Sequence, residues 1–173
     1  MKLGWVALIL IVYTAFAIHR VMPRLPARIP TSFDFQGRPT AGSSPDTLWL
    51  MLGIQIAVTA LILSVPAIGR RVPQWVSLGW KRLSDFPPAT QKRILPVLEE
   101  MCGWMAVLFS LFFTLLIREL IGAALNPGES PSVWPVWLFL AGTGVVTLYY
   151  LRRFSRVGRE TPPSPSVRPP ARR

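Results

Sequence analysis

The chain is short of the residues from which most catalytic and metal sites are built. Its 173 residues include one cysteine, Cys102, and one histidine, His19. A single cysteine excludes an internal disulfide framework and a multi-cysteine metal site. A single histidine argues against a histidine-based metal cluster and against a Ser-His-Asp triad. We therefore expect a non-enzymatic protein with no catalytic residues, no cofactor and no bound metal.

Charged residues are also scarce, whereas hydrophobic residues are abundant. Charged residues make up 16% of the chain, against about a quarter in an ordinary soluble domain. Hydrophobic residues make up 51% and are concentrated in four long blocks, at residues 3–22, 48–68, 101–125 and 133–151. About 20 helical residues cross the hydrocarbon core of a bilayer. The sequence thus predicts an all-α membrane protein with four transmembrane helices and a proline-rich outer loop between the first two.

The first block has a second interpretation. Ala15-Phe16-Ala17, after a basic start at Lys2, resembles the cleavage site of a secretory signal peptide. The apolar run continues past this site to Met22, and three more spans follow. Both features favour a helix that is retained in the membrane.

The distribution of positive charge predicts the orientation. Of the 19 lysines and arginines, 14 fall on the side that holds the amino terminus. The other five are arginines of the opposite side: Arg20, Arg24, Arg28, Arg38 and Arg118. Because cytoplasmic loops carry an excess of positive charge, we expect a multi-pass protein of the cell membrane with both termini in the cytoplasm.

The chain divides into four predicted parts. Residues 1–69 form a two-helix unit with the outer loop, and residues 101–151 contain transmembrane helices three and four. Residues 70–100 form a cytoplasmic basic and aromatic loop with an interfacial helix that Asp85 is placed to cap. That composition predicts contact with anionic lipid headgroups and no nucleic-acid partner. Residues 152–173, basic and proline-rich, are predicted to be a disordered tail.

Arg118 and Glu119 interrupt the third apolar block, and two interpretations stay open. If the third span ends near them, both side chains lie at the outer interface. If they are buried, each charge needs a partner, and Arg118 would face Asp34 or Asp46 of the outer loop. The first interpretation is favoured because the 16 residues before Arg118 carry no charge and nearly suffice to cross the core.

The outer loop has the composition of a shaped recognition surface. Proline fixes φ and holds the residue before it in an extended geometry, so residues 23–30 are predicted to form a stiff, non-helical rod. Two aromatic residues and a glycine follow, which supply contact area and a turn. The candidate recognition residues are Pro26, Ile29, Pro30, Phe33, Asp34 and Gly37.

The same loop carries a resemblance to a known family. Between two apolar helices it reads L-P-x-x-I-P-T-x-F-x-x-x-G-x-P, with these residues at Leu25, Pro26, Ile29, Pro30, Thr31, Phe33, Gly37 and Pro39. This pattern resembles domain of unknown function 1648, which also occurs in Sdp-type immunity and signalling membrane proteins. The resemblance implies a bacterial inner-membrane protein. Ser32 and Thr40 stand where the family usually has a histidine and an acid, which favours a structural or docking role over proton or metal chemistry.

Three functions are weighed on these grounds. The leading hypothesis is an immunity or signalling protein that recognises a peptide, toxin or lipid through the outer loop. The second is a subunit or helper of a larger membrane complex, or a homo-oligomer, with contacts at Gly53 and Gln55 of span two and at Gly142 and Gly144 of span four. The third is a small transporter or membrane enzyme, whose polar candidates would be Asp34, Asp46, Arg118 and Glu119. Against it, Gln55 is the one notable polar side chain near the middle of the spans.

Overall fold

The structure is a computed structural model, and it describes residues 2–33, 39–78, 81–126 and 131–159. Four helices in it are long and apolar enough to cross a membrane. Their bounds are α1 (Lys2–Val21), α2 (Thr47–Arg71), α3 (Pro88–Leu125) and α4 (Trp134–Arg159). The prediction of an all-α, multi-pass membrane protein with four spans is confirmed.

Helix α3 is the central helix, and it packs against each of the other three. It runs parallel to α1, because Leu3 lies beside Gly103 and Thr14 beside Thr114. It runs antiparallel to α2 and to α4. For α2, Gln55 contacts Ser110 and the later residue Arg70 contacts the earlier residue Glu99. For α4, Gly142 lies beside Leu108, and Arg153 pairs with Glu100.

These contacts define two ends of the molecule. At the near end, where α1 begins and α4 ends, Glu99 lies beside the last turn of α2. At the far end, Leu120 packs with Ile18 of α1 and Leu48 of α2. The 22 residues from Glu99 to Leu120 rise about 32 Å, which matches a hydrocarbon core of about 30 Å. The whole of α3, with 38 residues, is about 57 Å long, so it extends beyond its neighbours at both ends.

The near-end extension of α3 carries the segment that joins α2 to α3. This segment contains a 3-10 turn (Pro73–Trp75), two short antiparallel strands, numbered β3 (Ser77–Leu78) and β4 (Lys81–Arg82), and a second 3-10 turn (Leu83–Asp85). A buried cluster attaches it to α3. We call this the near-end cluster, and it consists of Val76, Leu83, Ile94, Leu98 and Cys102.

Two predictions about this segment are wrong. The interfacial helix and the third span are one continuous helix that begins at Pro88 and includes Pro96, so the predicted division at residue 100 does not separate two elements. Asp85 does not cap α3, whose N-cap is Pro87. The Asp85 carboxylate instead accepts a hydrogen bond from the backbone N–H of Arg82 at 2.9 Å and closes the preceding 3-10 turn.

The tail also differs from the prediction. Helix α4 continues to Arg159, eight residues beyond the predicted end of the fourth span at Leu151. Residues 152–159, predicted to be disordered, are therefore helical. An ion pair between Arg153 and Glu100 of α3 holds the start of this extension. The rest of the predicted tail, residues 160–173, lies outside the described residues.

Candidate recognition site at the far end

The loop between α1 and α2 folds into a two-stranded hairpin. Strand β1 (Ile29–Phe33) pairs antiparallel with β2 (Pro39–Ser43), with Ile29 opposite Ser43 and an irregular register after Pro30. The hydroxyls of Thr31 and Ser43 lie 3.1 Å apart and join the strands a second time. The predicted rod over residues 23–30 is wrong in its first part, because Met22–Arg24 form a 3-10 turn. Pro23 is the second residue of this turn, and proline is tolerated in the first turn of a helix because its backbone N–H would have no partner there.

Ile29 attaches the hairpin to the helices. Its side chain is 1% exposed and belongs to the far-end cluster, which comprises Ile18, Ile29, Leu48, Leu52, Ile117, Leu120 and Ala124. Leu25 and Met22 pack against the same cluster. Full burial of an isoleucine stabilises a fold by about 1.5–3 kcal/mol. The hairpin is therefore part of the folded core, packed on the far-end extension of α3.

The six candidate recognition residues have different environments. Pro26 is exposed and Pro30 is half-buried. The prediction that Ile29 takes part in recognition is corrected, because a side chain this deeply buried anchors the hairpin and offers no surface to a ligand. Phe33 ends β1, and only its backbone is described, while Asp34 and Gly37 lie outside the described residues.

The described surface around the hairpin is basic. Arg20, Arg24 and Arg28 are all exposed. The guanidinium of Arg20 lies 5.5 Å from the centre of the Phe16 ring, a cation–π distance. Asp46 is the exposed acid of this surface, and its carboxylate accepts a long 3.5 Å hydrogen bond from Ser44.

Arg118 and Glu119 lie at the level of the far-end cluster. The Glu119 carboxylate accepts a hydrogen bond from the backbone N–H of Ser132 at 2.9 Å, just before α4 begins. Arg118 is exposed, and the ion pairs found among the described residues do not join it to Asp46. Asp34, the other predicted partner, lies outside the described residues. Because α1, α2 and α4 all end or begin at this level, the structure favours the interfacial interpretation of the pair.

A buried polar network inside the bundle was missed by the sequence reasoning. Thr14 and Thr114 join α1 to α3 through hydroxyls 2.8 Å apart. Gln55 donates from Nε2 to the Ser110 carbonyl at 3.1 Å, and the Thr59 hydroxyl lies 3.1 Å from that of Ser110. The available signal was spacing: Gln55 and Thr59, like Ser110 and Thr114, are four residues apart and so share a helix face. None of these five side chains is ionisable.

The small and polar residues predicted to contact a partner divide into two groups. Gln55 is fully buried, and the helix–helix contact predicted for it is made with α3 inside the bundle. Gly142 packs inside as well, because a Cβ there would lie 3.0 Å from Leu108 Cδ2. Gly53 and Gly144 are exposed, and a Cβ at either would meet no atom within 4 Å.

Titratable and metal-ligating side chains are not gathered into a site in the described part of the chain. No group of three or more His, Cys, Asp or Glu side chains there could hold a metal ion. Cys102 is buried in the near-end cluster, and His19 is exposed at the end of α1. The far-end geometry therefore presents a basic, hairpin-shaped surface on a packed helical support.

In class, then, this is a multi-pass membrane protein whose first two helices carry a structured far-end hairpin. Residues 8–56 match the family model described as Domain of unknown function (DUF1648). The match runs from within α1, through the hairpin, into the first half of α2, and it supports the resemblance to that family. No curated protein and no solved structure matches the chain.

Proposed function

We propose that this protein is a non-enzymatic protein of the bacterial cell membrane that recognises a peptide, toxin or lipid through its far-end hairpin. In this proposal the far end is extracytoplasmic, both termini are cytoplasmic, and recognition serves immunity or signalling. The relation to Sdp-type proteins is part of the proposal.

One observation carries the proposal: the burial of Ile29 in the far-end cluster. A loop that merely linked two spans would not need a buried anchor or a strand pairing. Because the hairpin is folded before any ligand arrives, binding costs less ordering entropy than binding by a flexible loop. Pro26 and Arg28, which precede the buried Ile29, are exposed and free to make contacts on this fixed support.

The proposed orientation is supported by the near end as well as by the count of charges. Arg71 and Arg82 are exposed there, and Trp75 is 75% exposed. Tryptophan prefers the headgroup region of a bilayer, and arginine is attracted to anionic lipids of the cytoplasmic leaflet. The near end is accordingly proposed to lie on anionic headgroups.

The experiment replaces the residues between the strands and leaves the anchor intact. Residues 34–38 are exchanged for five glycine and serine residues in the full-length protein, with Ile29 unchanged. A matched control exchanges the other far-end loop, residues 127–130, in the same way. Cells that lack the gene are complemented with each form and compared for survival of membrane-active peptides and toxins and for the transcription of neighbouring genes.

We expect the hairpin variant to lose protection or induction and the control loop variant to keep it. Equal amounts of each protein in the membrane fraction establish that the comparison is valid. If the hairpin variant protects and signals as well as the wild type at normal membrane levels, the proposed recognition function is wrong.

A subunit role in a larger complex, or homo-oligomerisation, is the second candidate. The observation that favours it is the open surface at Gly53 and Gly144, since small residues allow close approach of a second helix in lipid. Replacement of each by isoleucine should dissociate a complex purified in mild detergent while the monomer stays folded. A wild-type protein that purifies as a monomer with no partner would contradict this role.

A further inference from the structure

A groove lies between α1 and α3 near the far end. It encloses a cavity of about 310 Å³. Its walls include Tyr13, Ala17 and Val21 of α1 and Thr114, Arg118 and Ile121 of α3. From Tyr13 to Val21 the α1 backbone rises about 12 Å, so the groove is elongated along the helices. It lies within the spans and opens toward the bilayer, since Tyr13 on its rim is 54% exposed.

Arg118 gives this groove a positive charge at one end. Its side chain is exposed, and among the described residues no carboxylate pairs with it. The neighbouring carboxylate, Glu119, already accepts the backbone N–H of Ser132. A cation at the edge of the hydrocarbon core is costly unless it reaches an anion or water. A negatively charged group bound at Arg118, from the bilayer or from solution, therefore lowers this cost.

The deeper part of the groove suits an apolar chain. The hydroxyls of Thr14 and Thr114 lie 2.8 Å from each other. The Thr14 hydroxyl also lies 2.8 Å from the Leu10 carbonyl oxygen, and the Thr114 hydroxyl lies 2.8 Å from that of Ser110, so the two hydroxyl protons are shared among three short contacts. Because these polar atoms are already satisfied within the bundle, the space beside Ala17 presents methyl and methylene groups. Arg118 is thus the charged residue of the lining, and Tyr13 adds a phenol at the rim.

We propose that this groove binds one anionic phospholipid, with its phosphate on the Arg118 guanidinium and an acyl chain beside Ala17. A guanidinium matches a phosphate with two parallel hydrogen bonds. Arg20 supplies a second exposed cation at the same level, on the next turn of α1 after Ala17. The length of the groove and the single charged end distinguish this ligand from a free anion, which has no use for the apolar part.

The test compares lipid binding by purified full-length protein and by three variants, using native mass spectrometry in a neutral detergent. The probes are phosphatidylglycerol and phosphatidylcholine of the same chain length. Arg118→Gln removes the charge, and Ala17→Leu fills the groove without changing any charge. Arg24→Gln is the matched control, because Arg24 is an exposed arginine of the same end that does not line the groove.

We expect the wild type to retain phosphatidylglycerol in preference to phosphatidylcholine. Arg118→Gln should bind phosphatidylglycerol at least about tenfold more weakly, because the loss of one charge-assisted hydrogen bond corresponds to that factor and the guanidinium makes two. Ala17→Leu should lose binding to a similar degree, and Arg24→Gln should bind as the wild type does. Helical circular dichroism of each variant establishes that it is folded, and Arg118→Met, which also removes the charge, replaces Arg118→Gln if the latter does not fold.

Three outcomes would overturn the proposal. One is undiminished phosphatidylglycerol binding by folded Ala17→Leu or by the Arg118 variant. Another is an equal loss in Arg24→Gln, which would show a diffuse attraction of lipid to the basic surface. The third is displacement of the lipid by millimolar inorganic phosphate, which would assign the arginine to a free anion.

Discussion

The two ends of the molecule share one construction and differ in the use of charge. At each end α3 extends beyond its neighbours, and a buried apolar cluster joins the extension to a segment that contains a pair of short strands. At the near end, acids of α3 pair with arginines: Glu99 with Arg70 at 3.1 Å and Glu100 with Arg153 at 2.6 Å. At the far end, Glu119 bonds a backbone N–H instead.

The difference indicates what each end does with its arginines. Near-end arginines that bind α3 hold α2 and α4 in place. Far-end arginines at positions 20, 24, 28 and 118 are exposed, and no ion pair with another described residue engages them. The near end thus fixes two arginines to α3 by ion pairs and leaves others, such as Arg71 and Arg82, exposed, whereas the far end leaves all four of its described arginines exposed. Availability of this kind is what a recognition surface for an anionic partner requires.

The largest effect is expected when one buried side chain is truncated in either the far-end or the near-end cluster. Ile29→Ala at the far end and Leu83→Ala at the near end each remove a side chain that is at most 1% exposed. Each should lower the free energy of unfolding by about 2–5 kcal/mol, because the apolar contacts are lost and a cavity remains. Hydrogen exchange in detergent should accelerate in β1–β2 for the first variant and in β3–β4 for the second.

The controls for this pair are exposed residues of the same segments. Pro26→Ala and Trp75→Ala should leave hydrogen exchange of both hairpins close to that of the wild type. If Ile29→Ala accelerates hydrogen exchange equally in β1–β2 and in β3–β4, the two strand pairs do not unfold independently. The comparison between the two ends would then be wrong.

A smaller effect is expected where α1 meets α3 at the near end. A Cβ at Gly103 would lie 3.0 Å from the Cβ of Leu3, so Gly103→Val forces the helices apart. Overpacking of this kind costs about 1–3 kcal/mol of stability. Gly122→Val, in the same helix, is the matched control, since nothing lies within 4 Å of a Cβ there. Thermal unfolding followed by circular dichroism checks both, and equal melting temperatures would contradict the close contact.

The hydrogen bond from the Ser132 backbone N–H to the Glu119 carboxylate should contribute less to stability than these packing contacts. Glu119→Ala removes the acceptor of the Ser132 N–H and should cost about 0.5–1.5 kcal/mol, the net value of a typical hydrogen bond. Faster amide exchange at Ser132 is the direct measurement. Glu119→Gln keeps an acceptor oxygen and should behave closer to the wild type, whereas identical exchange in all three proteins would rule out the contact in solution.

The near-end ion pairs should contribute least to stability. Both are more than a third exposed, with side-chain exposures of 56% and 37% for Arg70 and Glu99 and 38% and 43% for Arg153 and Glu100. Exposed pairs contribute about 0–1 kcal/mol and are weakened by salt. A double-mutant cycle with Glu100→Gln and Arg153→Gln measures the coupling. A coupling that persists unchanged in 1 M salt would show that the pair is far less solvated than its exposure indicates.

Much of the fold followed from local sequence. Four apolar blocks predicted four spans, and the observed helices α1 and α2 begin and end within three residues of the predicted limits. The start of α3 and the last residue of α4 were harder to predict. Pro96 and the basic residues after Leu151 each argue locally against a helix, yet packing on Leu83 and the contact between Arg153 and Glu100 extend the helices through them.

The candidate site was predicted in its location and not in its internal arrangement. Proline and glycine spacing marked the loop between α1 and α2 as shaped. It could not distinguish Ile29, which is buried, from Pro26, which is exposed, because both belong to one short apolar pattern. That distinction depends on Leu48, Ile117 and Ala124, which are distant in sequence and meet Ile29 only in the folded chain.

The sequence by itself determined that this chain crosses a membrane four times, because the cost of placing apolar blocks in water depends on composition and length alone. It also determined where the arginines lie along the chain. Tertiary structure decided that α3 is the centre, that Gln55 and the threonines face inward, and that Arg118 borders a groove while Glu119 holds the start of α4. These outcomes depend on which side chains from different helices meet at the same depth, and no local pattern contains that information.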